Sequence, residues 1–177
     1  MSTTSDGDTA SLSRRQLLQV AAVGAAGGAV IDVETAHAAQ HARTYPRHRV
    51  ARVSALDVNK PVSFQYPLRG QTSVLIDTGR AVPGGVGPSK SIVAYSALCQ
   101  HMGCPVAYDA GVRELVCPCH QTRYDPERLG SIVLGVATRA LPRLLLEVSR
   151  GTIFAVGVDG LIFGYRTNLA PGRKVGS

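Results

Sequence analysis

The spacing of the cysteines constrains this chain most, because all four lie within 21 residues. They form two blocks, residues 99–104 (CQHMGC) and residues 117–120 (CPCH), and each block also contains one histidine. Read as ligands, the blocks give Cys99-x-His101, fifteen residues, and then Cys117-x-x-His120. Thiolate and imidazole are common metal ligands, so two short loops of this kind could grip a metal centre from opposite sides.

A [2Fe–2S] cluster needs four protein ligands, two for each iron, and this pattern supplies them. Two ferric ions, two sulfides and two thiolates sum to zero charge, whereas a cluster with four thiolates would carry two negative charges. A neutral centre accepts an electron more easily, so the pattern predicts a reduction potential of roughly −150 to +300 mV.

The other two cysteines, Cys104 and Cys119, fit a disulfide that joins the loops, because disulfides persist in exported proteins. The residues alone leave two alternatives to a [2Fe–2S] cluster. A Cys₂His₂ zinc site uses the same ligand types, although zinc fingers normally carry their cysteines and histidines in like pairs. A thiol–disulfide enzyme would use Cys-x-x-Cys, whereas only one residue separates Cys117 from Cys119, and both histidines would lack a role.

The first 38 residues have the order of an export signal. Arg14 and Arg15 precede an apolar stretch of 15 residues, 17–31, which is shorter than the roughly 20 residues that a membrane-spanning helix needs. Residues 36–38 (AHA) then supply an A-x-A cleavage pattern. The arginine pair resembles a twin-arginine (Tat) signal. We therefore expect residues 1–38 to be a Tat-type signal peptide, residues 39–177 to be periplasmic, and no stable membrane span after cleavage.

The chain after the signal predicts β-structure. Short runs rich in β-branched and apolar residues alternate with Gly, Pro, Asp and Asn at residues 50–56, 62–66, 73–77, 91–98, 114–116, 132–136, 144–148, 152–158 and 161–165. Short strands at this spacing predict an antiparallel sandwich or barrel. Asp159-Gly160 predicts a hairpin between the last two runs. The net charge of +7 comes without an RNP or helix-turn-helix motif, so we expect no nucleic-acid partner.

The two cysteine blocks together resemble the Rieske [2Fe–2S] signature in its disulfide-bearing form, which occurs in cytochrome bc-type complexes and arsenite oxidase small subunits. The flanking residues 91–98 (SIVAYSAL), 125–128 (DPER) and 156–164 (VGVDGLIFG) are similar to the arsenite oxidase small subunit. The resemblance implies that residues 39–177 form one Rieske [2Fe–2S] domain, an all-β, Rieske-type antiparallel sandwich or barrel. It also implies a small inserted cluster-binding subdomain at about residues 95–141.

The resemblance assigns roles to eight residues. It implies cluster ligation by Cys99, His101, Cys117 and His120, a disulfide between Cys104 and Cys119, and hydrogen bonds from Thr122 and Tyr124 to the cluster and cysteine sulfurs. Donors of this kind stabilise negative charge on sulfur and raise the reduction potential.

The resemblance also implies an electron-transfer subunit of an arsenite oxidase-like oxidoreductase complex, with no substrate chemistry on this chain. Its partners would be a molybdopterin-containing large subunit and a periplasmic cytochrome c or cupredoxin. Two alternatives stay open: the small subunit of an iodate reductase, and the Rieske subunit of a cytochrome bc-type quinol oxidase complex. The second usually has a Pro-rich loop after the second block, whereas residues 130–142 contain one proline.

Overall fold

The computed structural model describes residues 45–169, so the predicted signal peptide lies outside the described residues. Within this range the chain forms strands and two short 3₁₀ turns. The strands are β1 (His48–Arg52), β2 (Val62–Gln65), β3 (Thr72–Asp77), β4 (Ile92–Ser96), β5 (Ala107–Asp109), β6 (Glu114–Val116), β7 (Arg123–Asp125), β8 (Ser131–Leu134), β9 (Arg143–Ser149) and β10 (Thr152–Asp159); the 3₁₀ turns are Val53–Ala55 and Pro126–Arg128. No helix in the described part is long and apolar enough to cross a membrane.

The strands form two antiparallel sheets, which confirms the predicted all-β class. The large sheet has six strands in the order β1-β10-β9-β4-β3-β2. The small sheet has four strands in the order β5-β6-β7-β8 and spans residues 107–134. The small sheet therefore lies inside the range of about 95–141 that the sequence suggested for an inserted subdomain.

Strand β4 is buried along its whole length because apolar clusters cover both of its faces. Val93 and Tyr95 point into a core shared with the small sheet, and this core contains Cys99 and Cys117. Ile92 and Ala94 alternate with them and contribute to the second core. This period of two is what an extended strand imposes on its side chains.

The predicted hairpin at Asp159-Gly160 is wrong. The closing hairpin joins β9 and β10 at Arg150 and Gly151, whose φ angles of 50° and 70° match the two-residue turn that strand twist favours. Residues 161–165 form no strand, because the side chain of Asn168 bonds the backbone of Ile162 and Gly160 instead.

Candidate metal centre

The first cysteine loop, residues 99–104, is a tight turn that follows β4. The Cys99 N–H donates to the Cys104 carbonyl at 2.8 Å, and the Gly103 N–H donates to the Cys99 carbonyl at 2.9 Å. Gly103 has a φ of +73°, a left-handed conformation that glycine adopts at little cost. The turn thus depends on glycine at this position.

The second cysteine loop, residues 117–122, connects β6 to β7. The Cys117 N–H donates to the Thr122 carbonyl at 2.8 Å, which closes the loop at its base. Gln121 has a φ of 55° and its side chain donates to the Pro118 carbonyl at 3.2 Å. Two neighbouring strands of the small sheet therefore hold this loop at both ends.

A disulfide between Cys104 and Cys119 joins the two loops, with their Cα atoms 6.6 Å apart. The Cys117 sulfur lies within 4.8 Å of both disulfide sulfurs. Sulfurs that are bonded to each other are not thiolates, so this trio is not a ligand set. The disulfide instead holds the loop that contains Cys117 next to the first cysteine loop.

The four predicted ligands fall into an inner pair and an outer pair. Cys99 and Cys117 are free thiols, each 1% exposed, and both belong to the core between the sheets. His101 and His120 lie towards solvent, with their Nδ1 atoms 3.2 Å apart and their rings edge to face at 4.7 Å between centroids. The structure thus places the two thiols in the core and the two imidazoles next to each other nearer the surface, with one thiol and one imidazole on each loop.

Tyr124 supports the inner pair from β7. Its hydroxyl lies 3.2 Å from the Cys99 sulfur and accepts a hydrogen bond from the Gln100 N–H at 3.0 Å. Because Gln100 occupies the hydroxyl oxygen, the hydroxyl hydrogen is available for the sulfur. Burial alone would raise the pKa of the Cys99 thiol, but hydrogen bonds from Tyr124 and from the His101 N–H outweigh it and lower that pKa. Burial instead raises the pKa of Cys117, so the thiolate is favoured at Cys99.

Thr122 offers a buried hydroxyl without a partner. It is fully buried, and its Oγ1 has no hydrogen-bond partner among the described residues. Leaving a buried hydroxyl unpaired costs about 1–3 kcal/mol, so such a group points to an acceptor that the protein itself does not supply. A sulfur-rich cluster beside Cys117 would provide one. Together with two thiols and two imidazoles, this donor set fits a [2Fe–2S] cluster.

Gly135 packs against Thr122 and was not singled out by the sequence. It has a φ of +110°, and a Cβ built on it would lie 2.5 Å from the Thr122 Cα and 2.6 Å from its Oγ1. Any larger residue would displace Thr122 within the second cysteine loop. A glycine after a strand signals a turn in sequence, but not the side chain that it meets.

An ion network around Glu127 joins the small sheet to the loop after β3 of the large sheet, at the end of β6 and β7 away from the second cysteine loop. The Glu127 carboxylate, 14% exposed, accepts hydrogen bonds from Arg80 and from the Arg113 Nε at 3.1 Å. Arg113 also donates to the Thr78 carbonyl at 2.7 Å and to the Asn59 Oδ1 at 2.8 Å. Burial favours the neutral acid, but the hydrogen bonds and charges of the two arginines prevail and lower the pKa of Glu127.

Replacing Glu127 with glutamine should lower the free energy of unfolding by about 2 kcal/mol, because a charge-assisted hydrogen bond is typically worth 1.5–3 kcal/mol. Since folding lowers the pKa of Glu127, this stabilisation is present above the pKa of an unfolded Glu, about 4.3, and is lost as the pH falls through the folded-state value. Denaturant unfolding of Glu127→Gln and the parent between neutral and acidic pH should show the difference in free energy of unfolding shrinking towards zero.

Asp57→Asn is the control, because the pair of Asp57 with Lys60 is exposed and worth little. An equal loss of stability in both variants would contradict the role of Glu127.

Comparisons with known proteins identify a family and several relatives of this chain. A family model for the Rieske [2Fe-2S] domain matches residues 47–145. Iodate reductase subunit IdrB of Denitromonas iodatirespirans is 39% identical over 173 residues, which cover 93% of this chain and 90% of that protein. IdrB of Pseudomonas sp. (strain SCT) is 36% identical over 165 residues, covering 90% of this chain and 86% of that protein.

Two further comparisons are narrower. The cytochrome bc1 complex Rieske iron-sulfur subunit of Corynebacterium glutamicum is 44% identical over 66 residues, but these cover 36% of this chain and 16% of that protein. The soluble domain of Rieske protein II (soxF) from Sulfolobus acidocaldarius has a TM-score of 0.59 and 26% identity over 73% of this chain and 85% of that chain. The first similarity is local, and the second extends over most of the fold.

Proposed function

The chain belongs to the Rieske [2Fe–2S] family, and on that basis we propose that Cys99, His101, Cys117 and His120 hold its cluster. The observation that carries this assignment is that each cysteine loop has one thiol in the core, while its imidazole contacts the imidazole of the other loop. When bound, such a cluster accepts and releases one electron at a time. A thiol–disulfide enzyme would leave both imidazoles without a role, and the match to the Rieske [2Fe-2S] domain favours an iron–sulfur cluster over zinc.

The thiols and the imidazoles at the cluster site have different roles in electron transfer. The two thiols place negative charge in the core, where Tyr124 and backbone N–H groups stabilise it. The two imidazoles keep the opposite side at the surface, which shortens the path to a partner. An electron relay needs one side of the cluster shielded from water and the other side close to the partner protein. It needs no substrate pocket, because electron transfer requires only that the two centres lie close together.

Exposed apolar side chains occur beside both cysteine loops and support docking there. Met102, next to His101, is 63% exposed, and Leu134 and Val136 are 58% and 54% exposed. The last two flank Gly135, which packs against Thr122 in the second cysteine loop. Exposed apolar groups clustered at one site favour a protein partner.

The proposed complex is an oxyanion oxidoreductase. Its large subunit would bind molybdopterin and the substrate, and a periplasmic cytochrome c or cupredoxin would exchange electrons with the complex. The two IdrB relatives, similar over nearly their full length, make iodate the first substrate to test, and arsenite is the second. Export by the proposed Tat signal at residues 1–38 agrees with a disulfide-containing domain, since disulfides persist in the periplasm.

EPR of the dithionite-reduced protein tests the cluster. A rhombic signal typical of a [2Fe–2S] cluster with two nitrogen ligands is expected. A colourless, EPR-silent protein with stoichiometric zinc would reject the proposal in favour of a structural metal site.

Absorbance in the presence of the cognate large subunit tests the complex. If the complex reduces iodate, iodate should reoxidise the reduced cluster; if it oxidises arsenite, arsenite should bleach the oxidised cluster. Either response should require the large subunit. A cluster that responds to neither substrate would exclude both oxyanion functions.

Replacing Tyr124 with phenylalanine should lower the midpoint potential. The hydroxyl 3.2 Å from the Cys99 sulfur stabilises the more negative, reduced cluster, and its loss should cost about 1 kcal/mol of that preference, or roughly 40 mV for one electron. Protein-film voltammetry measures the shift. Tyr108→Phe is a control, because its hydroxyl bonds Asn59 instead. Equal potentials for Tyr124→Phe and the parent would contradict the role of the hydroxyl.

A further inference from the structure

A segment near the C-terminus covers the back of the first cysteine loop. In residues 160–168, which follow β10, the ring of Phe163 lies so close to Gly103 that a Cβ built on Gly103 would be 2.6 Å from the Phe163 Cδ1 and 3.0 Å from its Cε1. Gly103 stands between His101 and Cys104. The contact therefore bears directly on the loop that carries two of the proposed ligands, although the sequence separates its partners widely.

This segment is anchored on both sides of Phe163. Ile162, 1% exposed, belongs to the second core of the large sheet. Asn168, 6% exposed, accepts from the Ile162 N–H at 2.8 Å and donates to the Gly160 carbonyl at 2.8 Å and to the Tyr45 hydroxyl at 3.0 Å. A buried amide with three satisfied hydrogen bonds fixes a loop that has no sheet partner. The Phe163 ring is thus held in place rather than lying loosely on the surface.

The contact covers the Gly103 side of the first cysteine loop. Solvent already reaches the Gln100 end of the first cysteine loop through a groove of about 320 Å³, which Gln100 and Leu161 help to line. Phe163 covers the Gly103 end. Removing the ring would leave the turn accessible to water from a second direction and free to move away from the segment behind it.

We propose that Phe163 is a positioning residue of the electron-transfer site: it backs the first cysteine loop at Gly103, keeps the loop in its ligating conformation and excludes water from it. This inference rests on the cluster assignment proposed above. Because an oxidised cluster with these ligands is neutral and a reduced one is negative, hydration favours the reduced form. Without the ring, the midpoint potential should rise and the cluster should be lost faster.

The test compares Phe163→Ala and Phe163→Leu in the purified, cluster-loaded protein. Phe163→Ala should raise the midpoint potential, broaden the EPR lines and accelerate the loss of visible absorbance to a chelator several-fold. Phe163→Leu, which keeps an apolar group against Gly103, should restore most of the parent behaviour. The matched control is Phe64→Ala, because Phe64 is also half-buried but lies on β2 and stacks with His48.

A purely structural role predicts that Phe163→Ala and Phe64→Ala lose stability alike and leave the potential unchanged. An unchanged or lowered potential in Phe163→Ala, or cluster loss no faster than in Phe64→Ala, would overturn the inference. If Phe163→Ala does not fold, Asn168→Ala keeps the ring but releases its segment, and the same readouts apply. Failure of the cluster assignment is separate, since the parent protein would then show no Rieske EPR signal.

Discussion

Replacing Cys99 with serine should give a folded protein that has lost essentially all of its iron–sulfur absorbance and EPR signal. The Cys99 sulfur is buried and is the thiolate that Tyr124 and the His101 N–H favour. A serine hydroxyl at this place stays protonated near neutral pH and is a poor ligand for iron. Iron content, visible absorbance and EPR of protein purified in parallel with the parent measure the effect.

Ser96→Ala is the control for this substitution. Ser96 is fully buried in β4, shortly before Cys99, and its hydroxyl accepts a hydrogen bond from the Leu98 N–H at 3.3 Å. Losing that bond should cost stability but leave the cluster in place. A Cys99→Ser protein with the parent EPR signal would show that the cluster is held by other residues, and would overturn the ligand assignment as a whole.

The sequence was most informative where chemistry depends on spacing along the chain. The two blocks at residues 99–104 and 117–120 specify two loops, because the ligand residues within each are close neighbours in sequence. The all-β class followed from short apolar runs between turn residues, and the observed sheets confirm it. Strands β5 and β7 were missed because each has only three residues, and these include charged and polar side chains.

Contacts between distant residues could not be predicted in this way. Nothing in the sequence links Gly103 to Phe163, and only the structure shows that the absence of a side chain at Gly103 makes room for that ring. The Asp159-Gly160 pair looked like a hairpin because local turn propensity says nothing about Asn168, whose amide takes the backbone groups that a hairpin would use. Local sequence patterns therefore predict the strands and the cysteine loops. The residues that pack behind those loops are brought there by tertiary contacts, which leave no local signal in the sequence.

Replacing both Cys104 and Cys119 with serine should leave the cluster in place but lower the free energy of unfolding by about 3 kcal/mol. The disulfide closes a loop with a sequence separation of 15. A crosslink of this size lowers the conformational entropy of the unfolded chain by an amount worth about 3 kcal/mol. The serines remove no proposed ligand, so EPR should still show a Rieske cluster. Equilibrium unfolding in guanidinium measures the stability, and the parent protein kept in strong reductant should match the double variant.

Loss of the disulfide should also affect how firmly the folded protein holds its cluster. Without the bond, the two cysteine loops are held together by the cluster itself and by weaker contacts, such as those between His101 and His120 and between Tyr124 and Gln100. Opening of either loop then becomes easier, and a chelator should remove iron several-fold faster than from the parent. If the double variant had no cluster at all, the sulfurs of Cys104 or Cys119 would be needed for its assembly; if stability and iron loss both matched the parent, the bond would have no role in holding the loops together.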